Sequence, residues 1–380
     1  MTTAPPAIAD VGHADRAPGE TPPVYALLRL VARYEGADDR QAWWVLATSL
    51  PPFVLLWWLM YASLTLPYWV TVLLAFPTAG FAVRTFIIQH DCGHGSFLKS
   101  ARLRIFIGRL CSIITLTPYG FFRHFHAAHH ATSSKLDKRG TDIETLTVRE
   151  YLARTPLMRV QYRLIRNPFI LFVIAPVLYF VVGMRLPWLA KSGWGKERRS
   201  ILLTNLALAA AWGAVVYAIG WQAFLKVELP VATIAATTGM WLFYVQHQFE
   251  DTYWAVDGEW DYGRAAMEGS SYYALPPVLE WFTGYIGLHH VHHLSPRVPS
   301  YRLSACHYDN PVLANVPKIT FADGLKCLRL RLWDEDARRL VGWSDIRERQ
   351  DAWPDRAARA RRARRRSSAT ATSPPAGPSC

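Results

Sequence analysis

Three histidine clusters in this 380-residue chain have the residue types and the spacing of a metal site. They are His90-Asp91-Cys92-Gly93-His94, His126-Ala127-Ala128-His129-His130 and His289-His290-Val291-His292-His293. Imidazole is the commonest metal ligand in proteins, and residues three or four apart lie on one face of a helix. Three such clusters predict a metal site with many histidine ligands and argue against a chance group of surface histidines.

The elements that position these clusters are predicted to be membrane helices. Charged residues make up 19% of the chain and apolar residues 51%, and the apolar residues occur in long runs. A membrane-spanning helix needs about 20 predominantly apolar residues. Four runs meet this condition, residues 43–66, 68–88, 201–219 and 224–245, and aromatic residues near their ends are typical of membrane interfaces.

The distribution of charge predicts the topology, because lysine and arginine concentrate on the cytoplasmic side of membrane proteins. Residues 97–166 contain 13 lysines and arginines against four acids, and residues 185–200 are also basic. Both segments are therefore predicted to be cytoplasmic. The apolar run 169–184 lies between them, so we expect it to be re-entrant or interfacial, and we expect the same of residues 103–119. Four spans in two hairpins then place every histidine cluster on the cytoplasmic face.

The same topology brings His247, at the end of the fourth span, beside the clusters. The predicted ligands are therefore His90, His94, His126, His129, His130, His247, His289, His292 and His293. Nine nitrogens are too many for one ion, since a zinc site takes four ligands, so two neighbouring metals are predicted. Imidazole suits zinc, copper, iron and nickel, and the ligands alone leave both the metal and the choice between oxygen activation and hydrolysis open.

The predicted fold class is an all-α integral membrane protein with four transmembrane helices in two hairpins, interfacial or re-entrant helices, and a cytoplasmic helical cap holding a di-metal site. Residues 1–40 are predicted as an N-terminal tail that is disordered at its start, 41–349 as the membrane domain, and 350–380 as a basic, disordered tail. Seven arginines in residues 356–366 favour solvent or anionic lipid headgroups over nucleic acid. We expect neither a signal peptide nor a disulfide framework.

The motifs resemble those of the membrane fatty acid desaturases, in which a His-x(3,4)-His box and two His-x-x-His-His boxes follow in this order. The similarity is closest to bacterial acyl-lipid desaturases, which include omega-6 (delta-12) enzymes and the delta-5 phospholipid desaturases of bacilli. It extends over residues 40–345. The stretches that resemble the family most include residues 90–96, 139–148, 241–250, 269–273, 287–299 and 330–336.

This resemblance implies two non-haem irons, O2 as co-substrate and the nine histidines as ligands. The family removes two hydrogens from neighbouring methylenes, which leaves a cis double bond, and the expected substrates are membrane lipid acyl chains, with delta-12 favoured over delta-9 and delta-5. His124 and His290 match positions that are not ligands. Animal acyl-CoA desaturases have an Asn where this chain has Phe243, and that Asn reaches iron through water, so the similarity to that branch is weaker.

Partners of the site are also predicted. Five carboxylates are close enough in sequence to orient ligand rings, although each could equally be surface or helix-end charge: Asp91, Asp142, Glu144, Glu250 and Asp251. The chain has no Gly-x-Gly-x-x-Gly or His-Pro-Gly-Gly motif, so we expect electrons from a soluble ferredoxin- or flavodoxin-like carrier, attracted by the basic loops. The expected location is the bacterial cytoplasmic membrane, with the active site on its cytoplasmic face.

Two rival functions share parts of this pattern. A di-iron hydroxylase, ketolase or acetylenase acting on a lipid, fatty acid or carotenoid would use the same histidine boxes, because the outcome depends on how the substrate is placed. A membrane metal transporter would place polar or ionisable groups near the middle of the membrane. The predicted spans hold few strongly polar residues beyond Arg84 and Asn205, which favours an enzyme.

Overall fold

The computed structural model describes residues 23–139 and 142–346. The predicted disordered start of the N-terminal tail and the arginine-rich C-terminal tail lie outside the described residues. So do Gly140 and Thr141, which belong to one of the stretches that resemble the family.

The fold is mainly helical, as predicted. The helices up to residue 165 are α1 (Val24–Val31), α2 (Asp39–Ala47), α3 (Leu50–Ala62), α4 (Trp69–His94), α5 (Ala101–Thr115), α6 (Tyr119–Thr132), α7 (Val148–Ala153) and α8 (Pro156–Ile165). Those that follow are α9 (Ala175–Val177, between π-helical Ile170–Ile174 and Leu178–Val182), α10 (Gly195–Ile219), α11 (Trp221–His247), α12 (Tyr262–Met267), α13 (Pro277–Phe282), α14 (His289–Leu294), α15 (Ser300–Tyr308) and α16 (Phe321–Cys327).

Within the described residues, three helices are long and apolar enough to cross a membrane: Asp39–Thr65, Trp69–His94 and Gly195–Ile219. They correspond to three of the four predicted spans, with ends that differ by one residue in two cases. The fourth lies in α11, which has 27 residues but does not reach the same apolar content, because it carries Lys226 and Glu228 near its start and several threonines later. A topology of four spans therefore remains a proposal.

Two bent helix pairs match the segments predicted to be re-entrant or interfacial. α5 and α6 meet at 96°, and α8 meets the helical segment that ends at Arg185 at 60°. The first bend occurs at Leu116, which has a positive φ of 56°, and Pro118 then precedes α6 without an N–H to extend the preceding helix. Each pair is either a broken span or a re-entrant loop, so the described helices allow three to five spans.

The long helices α4 and α11 pack side by side and run in the same direction. Near their first turns, Tyr68 Oη donates a hydrogen bond of 3.0 Å to the carbonyl of Lys226. Farther along, Ala75 and Ala79 pack in one apolar cluster with Val231. Because the helices are parallel neighbours of similar length, their histidine-bearing C-terminal ends lie at the same end of the molecule.

Two short sheets depart from the all-α prediction. β1 (Tyr272–Tyr273) pairs in parallel with β2 (Lys318–Ile319), and β3 (Leu332–Asp334) pairs antiparallel with β4 (Arg339–Val341). Tyr273 also donates a backbone hydrogen bond of 2.8 Å to the carbonyl of Gly287, just before α14. The first sheet therefore holds the segment from which the third histidine cluster begins.

The segment before the first span is partly folded. Leu27 and Val31 of α1 are fully buried and belong to the same core cluster as Val291 and Leu294 of α14. This helix, which lies inside the predicted N-terminal tail, thus packs behind the third histidine cluster.

Candidate metal centre

The nine histidines selected from the sequence converge at the common end of α4 and α11 in two adjacent groups. The five-ring group contains His90, His94, His126, His130 and His292, and the four-ring group contains His129, His247, His289 and His293. In each group, the candidate ligand nitrogens all lie within 4.8 Å of one another. The groups touch, since the rings of His130 and His293 stack with centroids 4.3 Å apart.

Helix geometry explains why one cluster serves both groups. Successive residues of an α-helix are rotated by about 100°, so a residue four positions on lies about 40° to one side and a residue three positions on about 60° to the other. On α6, His126 and His130 therefore point into the five-ring group and His129 into the four-ring group. On α14, by the same rule, His289 and His293 point into the four-ring group and His292 into the five-ring group.

The spacing of the nitrogens is informative about coordination. In the five-ring group, Nε2 of His90 lies 2.9 Å from Nε2 of His126 and 3.1 Å from that of His292. In the four-ring group, Nε2 of His289 lies 3.0 Å from that of His247 and 3.1 Å from that of His293. Nitrogens that share one ion at about 2.1 Å are on the order of 3 Å apart. The spacing is therefore short enough for several nitrogens of one group to bind the same ion.

Buried nitrogens without partners point to the same conclusion. Nε2 of His94 and Nε2 of His129 are buried and have no hydrogen-bond partner among the described residues. An unpaired buried polar atom costs free energy, and a metal ion would supply the missing interaction. The residues therefore fit a pair of metal ions.

The protonation state of the α14 rings also suits metal binding. Burial, reinforced by the neighbouring histidines, holds the pKa values of His289, His292 and His293 well below the ordinary histidine value. These imidazoles are neutral near pH 7, so each offers a lone pair without first losing a proton.

Three rings are oriented through Nδ1, which turns Nε2 toward the centre of the group. Nδ1 of His129 lies 2.6 Å from Asp142 Oδ1, and Nδ1 of His90 lies 3.1 Å from Asp91 Oδ1. The other oxygen of Asp91 accepts a hydrogen bond of 2.7 Å from the backbone N–H of Ser300. Such outer partners set the tautomer and the basicity of a ligating imidazole. The predicted contact with a ligand ring is confirmed for Asp91 and Asp142.

The other carboxylates proposed for this role lie elsewhere. Glu144 pairs with Arg154 and Glu250 with Arg339 at the surface, and Asp251 is exposed. The sequence left open whether these carboxylates orient ligand rings or carry surface charge. Glu144, Glu250 and Asp251 carry surface charge, because nearness in sequence does not set the direction of a side chain where the chain leaves a helix.

The third orienting group is one that sequence reasoning missed. Nδ1 of His247 lies 3.0 Å from the carbonyl oxygen of Gly269, so the ring donates an N–H to the backbone. A Cβ at Gly269 would lie 2.1 Å from Oγ of Ser134 and 2.6 Å from the carbonyl of Ala265. Only glycine lets this carbonyl approach the ring, and a glycine in a loop is the one sequence signal that could have suggested it.

His124 and His290, which the resemblance leaves out of the ligand set, lie outside both groups. His124 contacts Glu197 at 3.0 Å, and its side chain is 45% exposed. His290 is fully buried and lies 3.1 Å from His307, Nε2 to Nδ1. The spacing within a cluster thus separates rings that face the centre from rings that face away.

An aromatic ring closes one side of the four-ring group. The ring of Phe243 lies 5.1 Å from that of His129 and 5.7 Å from that of His247, centroid to centroid. Phe243 offers no ligand atom, so this side of the group is apolar.

Comparison with known proteins agrees with this geometry. The family model for fatty acid desaturases matches residues 66–319. A fatty acid desaturase of Bacillus subtilis is 46% identical over 322 residues, covering 84% of this chain and 91% of the relative. An sn-1 oleoyl-lipid 12-desaturase of Synechocystis is 25% identical over 223 residues, 58% of this chain and 63% of the relative. An sn-1 acyl-lipid omega-3 desaturase (ferredoxin) of the same organism is 28% identical over 231 residues, 57% and 61% respectively.

The fold and the histidine groups define a membrane-associated oxidoreductase with a candidate di-metal centre, and the chain belongs to the fatty acid desaturase family. Its apolar helices suit a membrane protein, and its two histidine groups are compatible with the paired irons that the resemblance implied.

Proposed function

We propose that this chain is an O2-dependent acyl-lipid desaturase whose nine histidines hold two irons. The observation that carries the proposal is the pair of adjacent histidine groups, five rings and four, in a chain of the desaturase family. Iron is among the metals that imidazole ligands suit, and it is the metal that the resemblance to the family implies. Once bound, the irons would supply the oxidising power, drawn from O2 and two electrons, that removes two hydrogen atoms from an acyl chain.

The chain's own residues orient the ligands and limit the access of water to the four-ring group. All four of its rings are buried, whereas His94, His126 and His130 of the five-ring group are half-buried. Asp91 and Asp142 hold two ligand rings through Nδ1, and a fixed geometry favours hydrogen removal at one position.

The proposed substrate is a membrane lipid acyl chain, with delta-12 as the favoured bond position. Support comes from the printed names of relatives, which include a 12-desaturase of oleoyl lipids and omega-6 desaturases. The name of the Bacillus relative states no bond position. We propose that electrons arrive from a ferredoxin- or flavodoxin-like carrier, as the name of the omega-3 relative suggests for that enzyme.

The reaction is tested by expression in a bacterium that lacks polyunsaturated lipids, supplied with oleate and a working ferredoxin system. A delta-12 enzyme produces an 18-carbon acid with double bonds at positions 9 and 12, located by gas chromatography with mass spectrometry. The inactive control is His292→Ala, which removes one ring from the five-ring group.

Each other product has a distinct meaning. A new double bond at position 5 or 9 would support the assignment as a desaturase and would replace delta-12 as the bond position. Hydroxylated acids in place of alkenes move the chain to the hydroxylase alternative. Unchanged lipids, with a working electron donor and inserted protein, contradict the substrate class.

We also propose that both histidine groups face the cytoplasm of a bacterial membrane, with α10 and α11 as the second hairpin. Reporter fusions after Ser200 and after Gln248 should both be cytoplasmic, and a fusion near Gly220 should be external. An external Ser200 reporter would contradict the re-entrant placement of residues 169–184, and an internal Gly220 reporter would remove the second hairpin.

A further inference from the structure

An arginine with unused hydrogen-bonding capacity lies away from the histidine groups, where the apolar segment before α10 ends. Arg185 donates one hydrogen bond from Nη2 to the carbonyl of Leu116, at the bend between α5 and α6. Its Nε and Nη1 are buried and have no partner among the described residues. Burying guanidinium N–H groups without acceptors is unfavourable, so the site lacks an acceptor, most simply an anionic one.

A second polar side chain completes this feature. Nδ2 of Asn205, on α10, donates a hydrogen bond of 2.7 Å to the carbonyl of Arg185. Its Oδ1 is buried without a partner among the described residues. The two free N–H positions of the guanidinium can donate to phosphate oxygens, and the amide oxygen of Asn205 can accept a hydrogen bond from a hydroxyl of the same headgroup.

An apolar groove begins at these two residues. Its volume is about 470 Å³, and it runs along α10 past Trp212 and Gly213 to Phe224 of α11. That volume lies within the range of about 300–1,000 Å³ usual for small-molecule sites. Apart from Arg185 and Asn205, the residues that line it are apolar or glycine, as a hydrocarbon chain requires.

We propose that this groove binds a membrane phospholipid, with its phosphate on Arg185 and one acyl chain along α10. The sequence places Arg185 where the apolar residues 169–184 give way to the basic residues 185–200, which is the level at which lipid phosphates lie. Basic pockets between membrane helices bind anionic headgroups by this combination of charge and apolar wall. The bound chain leads from Asn205 toward Phe224, so this lipid is separate from the acyl chain that reacts at the histidines.

The site has a structural consequence for α6. Arg185 is bonded to the bend from which α6 departs, and α6 carries His126, His129 and His130. A phosphate that neutralises Arg185 holds this bend in place. The bound lipid therefore stabilises the helix that contributes to both histidine groups.

The test is lipid binding by the purified full-length protein, measured as quenching of tryptophan fluorescence by phosphatidylglycerol with brominated acyl chains. Trp212 lines the groove, so occupancy brings bromine beside an indole. Wild-type protein should show saturable quenching. For Arg185→Gln, the lipid concentration that gives half-maximal quenching should rise by about tenfold or more, because the variant loses charge-assisted hydrogen bonds to the phosphate. The matched control is Lys191→Gln, an exposed lysine of the same basic segment, which should bind like the wild type.

A second pair of variants tests the groove itself. A Cβ at Gly213 or at Gly239 meets nothing within 4 Å, so both positions have open space for a larger side chain. Gly213→Leu fills the groove and should abolish saturable quenching, whereas Gly239→Leu on α11 should not. Because these variants leave Arg185 intact, they test the proposal even if Arg185→Gln does not fold. A further variant, Arg185→Lys, retains the positive charge but lacks the planar guanidinium group.

Three results would overturn the proposal. The first is equal quenching of Arg185→Gln, Gly213→Leu and their controls. The second is equal quenching of the wild type by a brominated diacylglycerol, which lacks the phosphate. The third is a change of oligomeric state in Gly213→Leu without a change in quenching, which would assign the groove to a second copy of the chain. None of these results depends on metal content or desaturase activity.

Discussion

The two histidine groups receive rings from α6 and α14 by the same helical spacing, but the two helices contribute them in opposite ways. On α6 the pair four residues apart joins the five-ring group and the remaining ring joins the four-ring group. On α14 the pair four apart, His289 and His293, joins the four-ring group, and His292 joins the five-ring group. Each of these short helices therefore links the two groups, and neither group can form without both.

The two groups differ in the ligands that the long parallel helices α4 and α11 contribute. α4 contributes His90 and His94, four residues apart, to the five-ring group. The equivalent positions on α11 are Phe243 and His247, and Phe243 places an apolar ring where a fifth nitrogen would stand. A single side chain therefore makes the two proposed metal positions unequal, one with five nitrogens and one with four.

The largest effect is expected from removing one ring from either group. His126→Ala in the five-ring group and His289→Ala in the four-ring group should each lower desaturation by at least about 100-fold, because the paired chemistry needs both ions. Wild-type protein should contain two irons per chain, and each variant fewer, while both still insert in the membrane. Metal analysis and lipid analysis of the same preparations measure this, with His124→Ala as the unchanged control.

Two outcomes would contradict this view of the two groups. Full activity with one zinc per chain would reject a pair of irons. Loss of metal in His289→Ala without loss of activity would show that the four-ring group is not part of the reacting centre.

An intermediate effect is expected from the carboxylates that orient ligand rings. Asp142→Asn and Asp91→Asn keep the size of the side chain and remove its charge, so each should lower metal affinity or activity by about 10- to 100-fold. The Asp142 contact is the shorter, 2.6 Å against 3.1 Å, so iron should be lost more readily from Asp142→Asn. Iron retained during dialysis against a chelator is the measurement.

Glu144→Gln is the matched control, because Glu144 is exposed and pairs with Arg154. Equal iron retention in all three variants would mean that the ring nitrogens alone determine the affinity, and that the Nδ1 contacts contribute nothing measurable.

The smallest effect is expected at Phe243, where the two groups differ. Phe243→His adds a ring four residues before His247 and makes the four-ring group resemble the other. The fifth nitrogen should slow the release of iron to a chelator several-fold, because one added contact contributes on the order of 1 kcal/mol. Phe243→Leu, which adds no nitrogen, should release iron at the wild-type rate. Release of iron at one rate from all three proteins would show that Phe243 does not occupy an equivalent position.

Much of the centre follows from local spacing. Rings at positions such as 126, 129 and 130 share one side of any helix that contains them. His247 was selected from the predicted topology, and the omission of His124 and His290 followed from the resemblance to the family, so none of these choices required tertiary information. The three apolar helices were also predictable, because length and composition suffice. Asp91 adjoins His90 in the chain, so its contact was within reach of the same reasoning.

Other features depend on contacts between distant parts of the chain. The assignment of His129 and His292 to opposite groups depends on how α6 and α14 face each other, and the partner of the His247 ring is a carbonyl 22 residues away. Glu228 makes α11 more polar than a typical span, yet its carboxylate accepts a hydrogen bond of 2.9 Å from Trp57 on α3. The sequence determined which rings are available on each helix, since that is set by helical periodicity. Only the packing of α4, α6, α11 and α14 decided which nitrogens meet, because convergence in space depends on the relative positions of helices that are far apart in the chain.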